Sequence, residues 1–326
     1  MKITVLGAGA WGTALARMLA TRNHDVALWD FFPETVEVIN RTHCNERYLP
    51  GISLPANLRG EADAAKAVAG AELVVVASVS KGFRNVTKCL GAFNGIVVSV
   101  TKGIEFETGK TMTDILAENA PRARAVAMSG PTLATEVAKG IPTAIVAAST
   151  DEAAAQAVQN LFHSAAFRVY TSTDVHGVEL GGALKNVIAI GAGVCDGLGF
   201  GDNSKAALVT RAVAEMRRLG VACGAQTDTF TGLSGLGDLM VTCFSKLSRN
   251  RGFGERVGKG EKVEAVLASM TAVAEGYPTA RAARELARRK NVITPVIDEV
   301  HAMLYEGKDV RRAVQDLTAR ESKPED

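Results

Sequence analysis

The apolar residues of this chain are arranged in two regimes. In the first half they come as short continuous runs: Lys2 to Leu6, Asp25 to Trp29, Leu73 to Ala77, Gly95 to Val100, Ala123 to Met128, Thr143 to Ala148 and Phe167 to Tyr170. Runs of this kind, rich in valine and isoleucine, fit strands covered on both faces. Between them, Thr13 to Ala20, Glu34 to Arg41, Ala62 to Ala69, Phe83 to Leu90 and Asp151 to Phe162 carry helical patterns. Alternation of strand and helix predicts an α/β domain built on a doubly wound, mostly parallel sheet. From about Asp174 the strand-like runs stop. Helical patterns follow over Val175 to Val194, Lys205 to Cys223, Thr229 to Leu233, Asn250 to Val257, Val263 to Ser269, Thr279 to Lys290, Ile293 to Tyr305 and Val310 to Thr318. The reading is a sheet domain over 1–173 and an all-helical domain over 174–326, with a frayed end from Arg320. A chain of 326 residues exceeds one usual hydrophobic core, which agrees with two domains.

The first turn carries the first chemical signal. Gly7-Ala8-Gly9-Ala10-Trp11-Gly12 follows the opening strand and leads into a helix, the G-x-G-x-x-G spacing of a Rossmann-type dinucleotide fold. Gly7 permits the tight turn, Gly9 the approach of a diphosphate to the backbone, and Gly12 the packing of helix on strand. The helix start at Ala10 and Trp11 then offers N–H groups and partial positive charge to the anion. Asp30 ends the second strand eighteen residues after Gly12, where a carboxylate can accept from an adenosine ribose hydroxyl.

Composition narrows the partners. With 47% hydrophobic and 22% charged residues and a net charge of +2, the chain reads as globular, with no basis for a nucleic-acid groove or a membrane-seeking surface. Basic stretches such as Arg281 to Lys290 alternate with acids and read as solvated helix faces. The five cysteines, Cys44, Cys89, Cys195, Cys223 and Cys243, are scattered and lack C-x-x-C spacing, so reduced thiols are expected and neither disulfides nor a metal site. The opening strand leaves no room for a signal peptide, and no apolar run reads as long enough for a membrane span. A cytoplasmic protein is expected.

Further candidates sit where ligands bind in open α/β sheets, beyond the carboxyl ends of strands: Lys102 after the run ending at Val100, and the turn Ser129-Gly130-Pro131-Thr132. Lys185 lies in a helix pattern apolar nearly all round. A buried ammonium is costly, so it needs a carboxylate or a depressed pKa; burial and a second cation such as Lys102 would push the pKa towards neutrality, where a lysine can transfer protons. Asp238, in Gly235-Leu236-Gly237-Asp238, is the candidate partner. Ser248-Arg249-Asn250 opens a helix whose capped N-terminus and arginine suit a phosphate. Periodicity gives Glu275 no role. Together these features point to hydride transfer on a small phosphorylated alcohol or ketone.

The ordered set Gly7 to Thr13, Asn45 to Leu54, Thr101-Lys102-Gly103, Ser129 to Thr132, Gly181 to Gly191, Gly232 to Asp238, Thr242-Cys243, Ser248 to Asn250 and Glu275-Gly276-Tyr277 closely resembles bacterial NAD(P)-dependent glycerol-3-phosphate dehydrogenases over nearly the whole chain. The resemblance implies reduction of dihydroxyacetone phosphate to sn-glycerol 3-phosphate, a precursor of glycerophospholipids, in a homodimer. It implies Lys185 as the proton donor, with Lys102, Gly130, Thr132, Asp238, Ser248, Arg249 and Asn250 around the substrate. Trp11, Lys102, Ala134, Arg249 and Glu275 are implied at the NAD(H) or NADP(H) cofactor. Two departures stand out: Ala77 replaces the family's common proline before Ser78, and Asp30 would meet a 2′-phosphate with like charge, which favours NAD(H). The alternatives are another β-hydroxyacid-type dehydrogenase, disfavoured because Ala189 stands where that group tends to have asparagine, and a non-catalytic dinucleotide sensor.

Overall fold

The structure, a computed structural model, describes residues 1–270 and 273–321; of the end expected to fray, 322–326 lie outside the described residues. The chain divides into two compact units: Met1–Glu105 with Lys110–Glu179, and Phe106–Gly109 with Leu180 onward. The division falls inside one long helix, whereas the change of pattern read from the sequence lies just before that helix starts.

The first unit runs β1 (Lys2–Leu6), α1 (Ala10–Thr21), β2 (Asp25–Trp29), α2 (Pro33–Thr42), β3 (Cys44–Asn45), β4 (Leu49–Ser53), β5 (Leu58–Glu61), α3 (Ala64–Val68), β6 (Leu73–Val76), α4 (Phe83–Thr87), β7 (Ile96–Ser99), α5 (Met112–Asn119), β8 (Arg124–Ser129), α6 (Ala134–Ala138), β9 (Thr143–Ala148), α7 (Glu152–Phe162) and β10 (Phe167–Ser172). Eight strands form one sheet in the order β10-β9-β8-β7-β6-β1-β2-β5, and β3 and β4 form a separate antiparallel pair. Every neighbour pair in the sheet is parallel except β8 and β9. Both faces are covered, which is why the strands read as unbroken apolar runs. Ile3, Val5, Val75 and Val98 pack with Leu15 and Leu19 of α1 and Val158 and Phe162 of α7. Leu6, Val74, Val76 and Val97 pack on the other side with Ala67, Phe83, Ile115 and Leu116.

The continuation is helical: α8 (Val175–Gly197), α9 (Asp202–Ala222), α10 (Asp238–Phe244), α11 (Arg249–Gly258), α12 (Val263–Ser269), α13 (Gly276–Arg289), α14 (Pro295–Tyr305) and α15 (Val310–Thr318). Although Glu179 and Lys185 interrupt its apolar run, α8 as a whole is long and apolar enough to cross a membrane by composition. Its most apolar stretch is entirely buried inside the protein, the ordinary state of a central core helix.

Candidate active site

In the first unit, geometry gives each loop glycine a separate task. Gly7 has φ +118°, and a Cβ there would lie 2.7 Å from the Ala77 carbonyl oxygen; at Gly12 a Cβ would lie 1.9 Å from the Gly7 oxygen. Around Gly9 there is nothing within 4 Å. The loop is therefore closed at both ends and open at its centre. Gly9 is the N-cap of α1 and brings no side-chain cap, so the first N–H groups of the helix face that opening. An open glycine at an uncapped helix start fits a dinucleotide diphosphate. Asn45, buried on the short β3 strand, braces the loop, donating from Nδ2 to the Ala8 carbonyl and to Thr13 Oγ1, both at 2.8 Å.

Asp30 is more committed than its position in the sequence suggests. Its Oδ2 accepts from the Ala8 N–H at 2.8 Å and its Oδ1 from the Phe32 N–H at 3.0 Å, with 8% of the residue exposed. The carboxylate thus ties the end of β2 to the glycine loop, and any bond to a ribose would use its remaining lone pairs. Beyond it, Phe31 and Phe32 lie on the surface, with the Arg47 guanidinium 5.4 Å from the Phe32 ring centre. Past β7, Lys102 Nζ donates to the Gly130 carbonyl at 3.1 Å, and Thr132 Oγ1 donates to the same oxygen at 3.2 Å. Lys102, Gly130 and Thr132 form one cluster at the carboxyl edge of the sheet, and Ala134 starts α6 just after it.

In the second unit, Lys185 on α8 and Asp238 at the start of α10 are buried together, Nζ to Oδ1 3.0 Å, with their side chains 8% and 2% exposed. Thr242, one turn beyond Asp238, accepts from Lys185 Nζ at 2.7 Å and donates to the Asp238 carbonyl at 2.6 Å. The helices approach closely enough for this because Gly181 has no side chain: a Cβ there would lie 2.6 Å from the Ser234 carbonyl oxygen. Beside the pair, Asn250 Nδ2 donates to Asn186 Oδ1, and Asn250 Oδ1 accepts from the Gly276 N–H, both at 2.8 Å. Ser248 caps α11, its hydroxyl accepting from the Arg251 N–H at 3.2 Å. Arg249 keeps an exposed face, although the surrounding protein lowers its guanidinium pKa, an effect opposed by the Glu275 charge.

The sequence reading did not single out Asn45, Asn186 or Thr242 as site residues. Thr242 had a usable signal, four residues after Asp238 on one helix face.

Models of the NAD-dependent glycerol-3-phosphate dehydrogenase family match this chain twice, the N-terminal model over residues 2–155 and the C-terminal model over residues 174–315. The chain belongs to that family. Glycerol-3-phosphate dehydrogenases [NAD(P)+] of Trichlorobacter lovleyi and Anaeromyxobacter dehalogenans are 49% and 48% identical to it, each covering 100% of this chain, with 99% and 100% of their own lengths covered. A crystal structure of glycerol-3-phosphate dehydrogenase from Coxiella burnetii superposes with a TM-score of 0.95 at 35% identity, covering 98% of this chain and 99% of that one. A ketopantoate reductase from Ralstonia eutropha, at 17% identity and TM-score 0.63, shares the fold alone.

Proposed function

We propose that this protein reduces dihydroxyacetone phosphate to sn-glycerol 3-phosphate with NAD(P)H, the glycerol-3-phosphate dehydrogenase reaction that supplies glycerophospholipid synthesis. The observation that carries it is the Lys185–Asp238–Thr242 cluster next to the capped start of α11. The nicotinamide, when bound, supplies the hydride. Gly9, Ala10 and Trp11 would hold the diphosphate at the start of α1, on a loop that Gly7 and Gly12 close, and Ala134, Arg249 and Glu275 would complete the dinucleotide's contacts. Asp238 keeps the Lys185 ammonium charged in a buried setting, so Lys185 can protonate the alkoxide that develops at the substrate's C2. Lys102 adds positive field at that oxygen, with Gly130 and Thr132 lining its side of the substrate. Ser248, Arg249 and Asn250 grip the phosphate, so that binding remote from the reacting carbon fixes its position. No metal is assigned a part.

Asp30 assigns a preference for NAD(H): its charge opposes a 2′-phosphate whichever hydrogen bonds it makes. The same reading gives a homodimer in the cytoplasm. Sedimentation equilibrium of the purified chain tests the dimer.

The deciding assay follows loss of NADH absorbance with dihydroxyacetone phosphate, run in parallel with NADPH. Turnover faster with NADH supports the reaction and the preference. Equal turnover with NADPH removes Asp30 as selector. A folded protein that binds NADH yet leaves dihydroxyacetone phosphate unreduced overturns the proposal.

A further inference from the structure

Helices α8 and α11 are joined by glycine. A Cβ at Gly193 would lie 2.0 Å from the Arg251 carbonyl oxygen, at Gly197 2.3 Å from that of Glu255, at Gly254 2.0 Å from that of Ile190, and at Gly258 2.6 Å from that of Val194. Contact positions advance together along both helices, so they run parallel with their backbones touching. Such a seam packs backbone against backbone, and two polar contacts bridge it at the first turn of α11.

One is the Asn186–Asn250 bond, within the proposed substrate site. The other comes from Asp196, ten positions further along α8 near its C-terminus, and meets the neighbouring residue of α11. Asp196 Oδ2 lies 2.6 Å from Arg251 Nε, and its Oδ1 pairs with Lys205 in the first turn of α9. The side chains of Lys205, Arg251 and Asp196 are 9%, 11% and 15% exposed. Arg251 also meets Glu255 at 3.1 Å, and its own N–H is the one that Ser248 caps. A single carboxylate thus holds two buried cations from two other helices. It lies away from the proposed reacting centre: it is eleven positions along α8 from Lys185, roughly 16 Å along the axis.

We propose that Asp196 is a positioning residue for the substrate phosphate. By holding Arg251 it fixes α11 along α8, and so keeps Ser248, Arg249 and Asn250 in register with Lys185 and Asn186. The proposal rests on the phosphate grip assigned above. Without the Asp196 charge, Lys205 and Arg251 repel each other across the glycine seam, and the N-terminus of α11 shifts. A displacement of about 1 Å is enough to weaken a positioned contact strongly.

The test compares Asp196→Asn and Arg251→Gln with the unaltered protein, using dihydroxyacetone phosphate and its phosphate-free counterpart, dihydroxyacetone. Each variant is expected to raise KM for dihydroxyacetone phosphate at least tenfold, change kcat by less than about threefold, and leave kcat/KM for dihydroxyacetone, read at saturating NADH, unchanged. The double variant should lose no more than either single one, because both break the same link. An unchanged KM for the phosphorylated ketone overturns the inference, as does an equal loss on both ketones, which would mark a general structural role. Failure of both single variants to fold overturns it as well. An unaltered protein inactive on dihydroxyacetone phosphate sinks the functional reading itself, a result separate from all of these.

Discussion

Lys185 shows how a single residue can announce its role through the cost of placing it. An ammonium inside an apolar helix is tolerable only with a partner, and the structure supplies Asp238 at 3.0 Å and Thr242 at 2.7 Å. Lys185→Met removes the proposed proton donor while keeping most of the stem volume. It is expected to lower kcat by about 10² to 10⁴, the range for loss of a general acid, and leave NADH affinity near normal in a fluorescence titration. A kcat within threefold of normal removes Lys185 from the chemistry. This part of the site was legible because a buried charge violates the apolar pattern around it. Asn186 was not, and Thr242 only through its place four residues after Asp238: a buried amide or hydroxyl costs far less than a charge, so the apolar pattern alone does not set such residues apart. Asp30 was legible in position only. That its two oxygens hold the Ala8 and Phe32 N–H groups depends on the path of the backbone, which no spacing encodes.

At the scale of elements, the glycine loop separates binding from folding within six residues. Gly9 faces open space, so Gly9→Val should fold with normal thermal stability yet lose NADH binding, read by calorimetry. At Gly12 a Cβ would sit 1.9 Å from the Gly7 oxygen, so Gly12→Ala should lower the melting temperature before any effect on binding is considered. Normal NADH affinity in Gly9→Val would show that the diphosphate does not approach there. The elements that sequence made plain are those with continuous apolar runs, β1, β2, β6, β7, β8 and β9. Those it missed are short or at an edge. The residues of β5, Leu-Arg-Gly-Glu, form the outermost strand, where one side needs no apolar cover. Helix α5 is set by a capping box between Thr111 and Asp114, and α6 has five residues, too few for a period to show. Before α10 the chain makes a π-helical turn over Leu233–Gly237, which obscures the phase of the pattern leading into Asp238.

At the scale of the whole molecule, stability should depend on pH through Glu215. This glutamate of α9 is buried beneath the start of α14, where both of its oxygens accept from the Val296 N–H at 2.8 and 3.0 Å. Burial raises its pKa to about 7 from 4.5, against the pull of those N–H groups. The folded state therefore holds a proton that the unfolded state has released. The stabilisation is fully present below about pH 4.5 and is lost as pH rises through 7, on the order of 3 kcal/mol in all. Urea unfolding at pH 5 and pH 8 should show Glu215→Gln losing less stability over that interval than the unaltered protein. Equal losses would mean that Glu215 titrates normally.

The burial of α8 has a consequence for the order in which the chain is made. Its 23 residues leave the ribosome before every segment that will cover its glycine face, since Gly254 and Gly258 of α11 and Gly276 of α13 all come later. For that interval the nascent chain displays a segment long and apolar enough by composition to associate with a membrane or with other chains, interrupted by Glu179 and Lys185 in its first half. A chain ended shortly after Gly197 should therefore sediment with membranes or aggregates, while the complete chain stays in the supernatant.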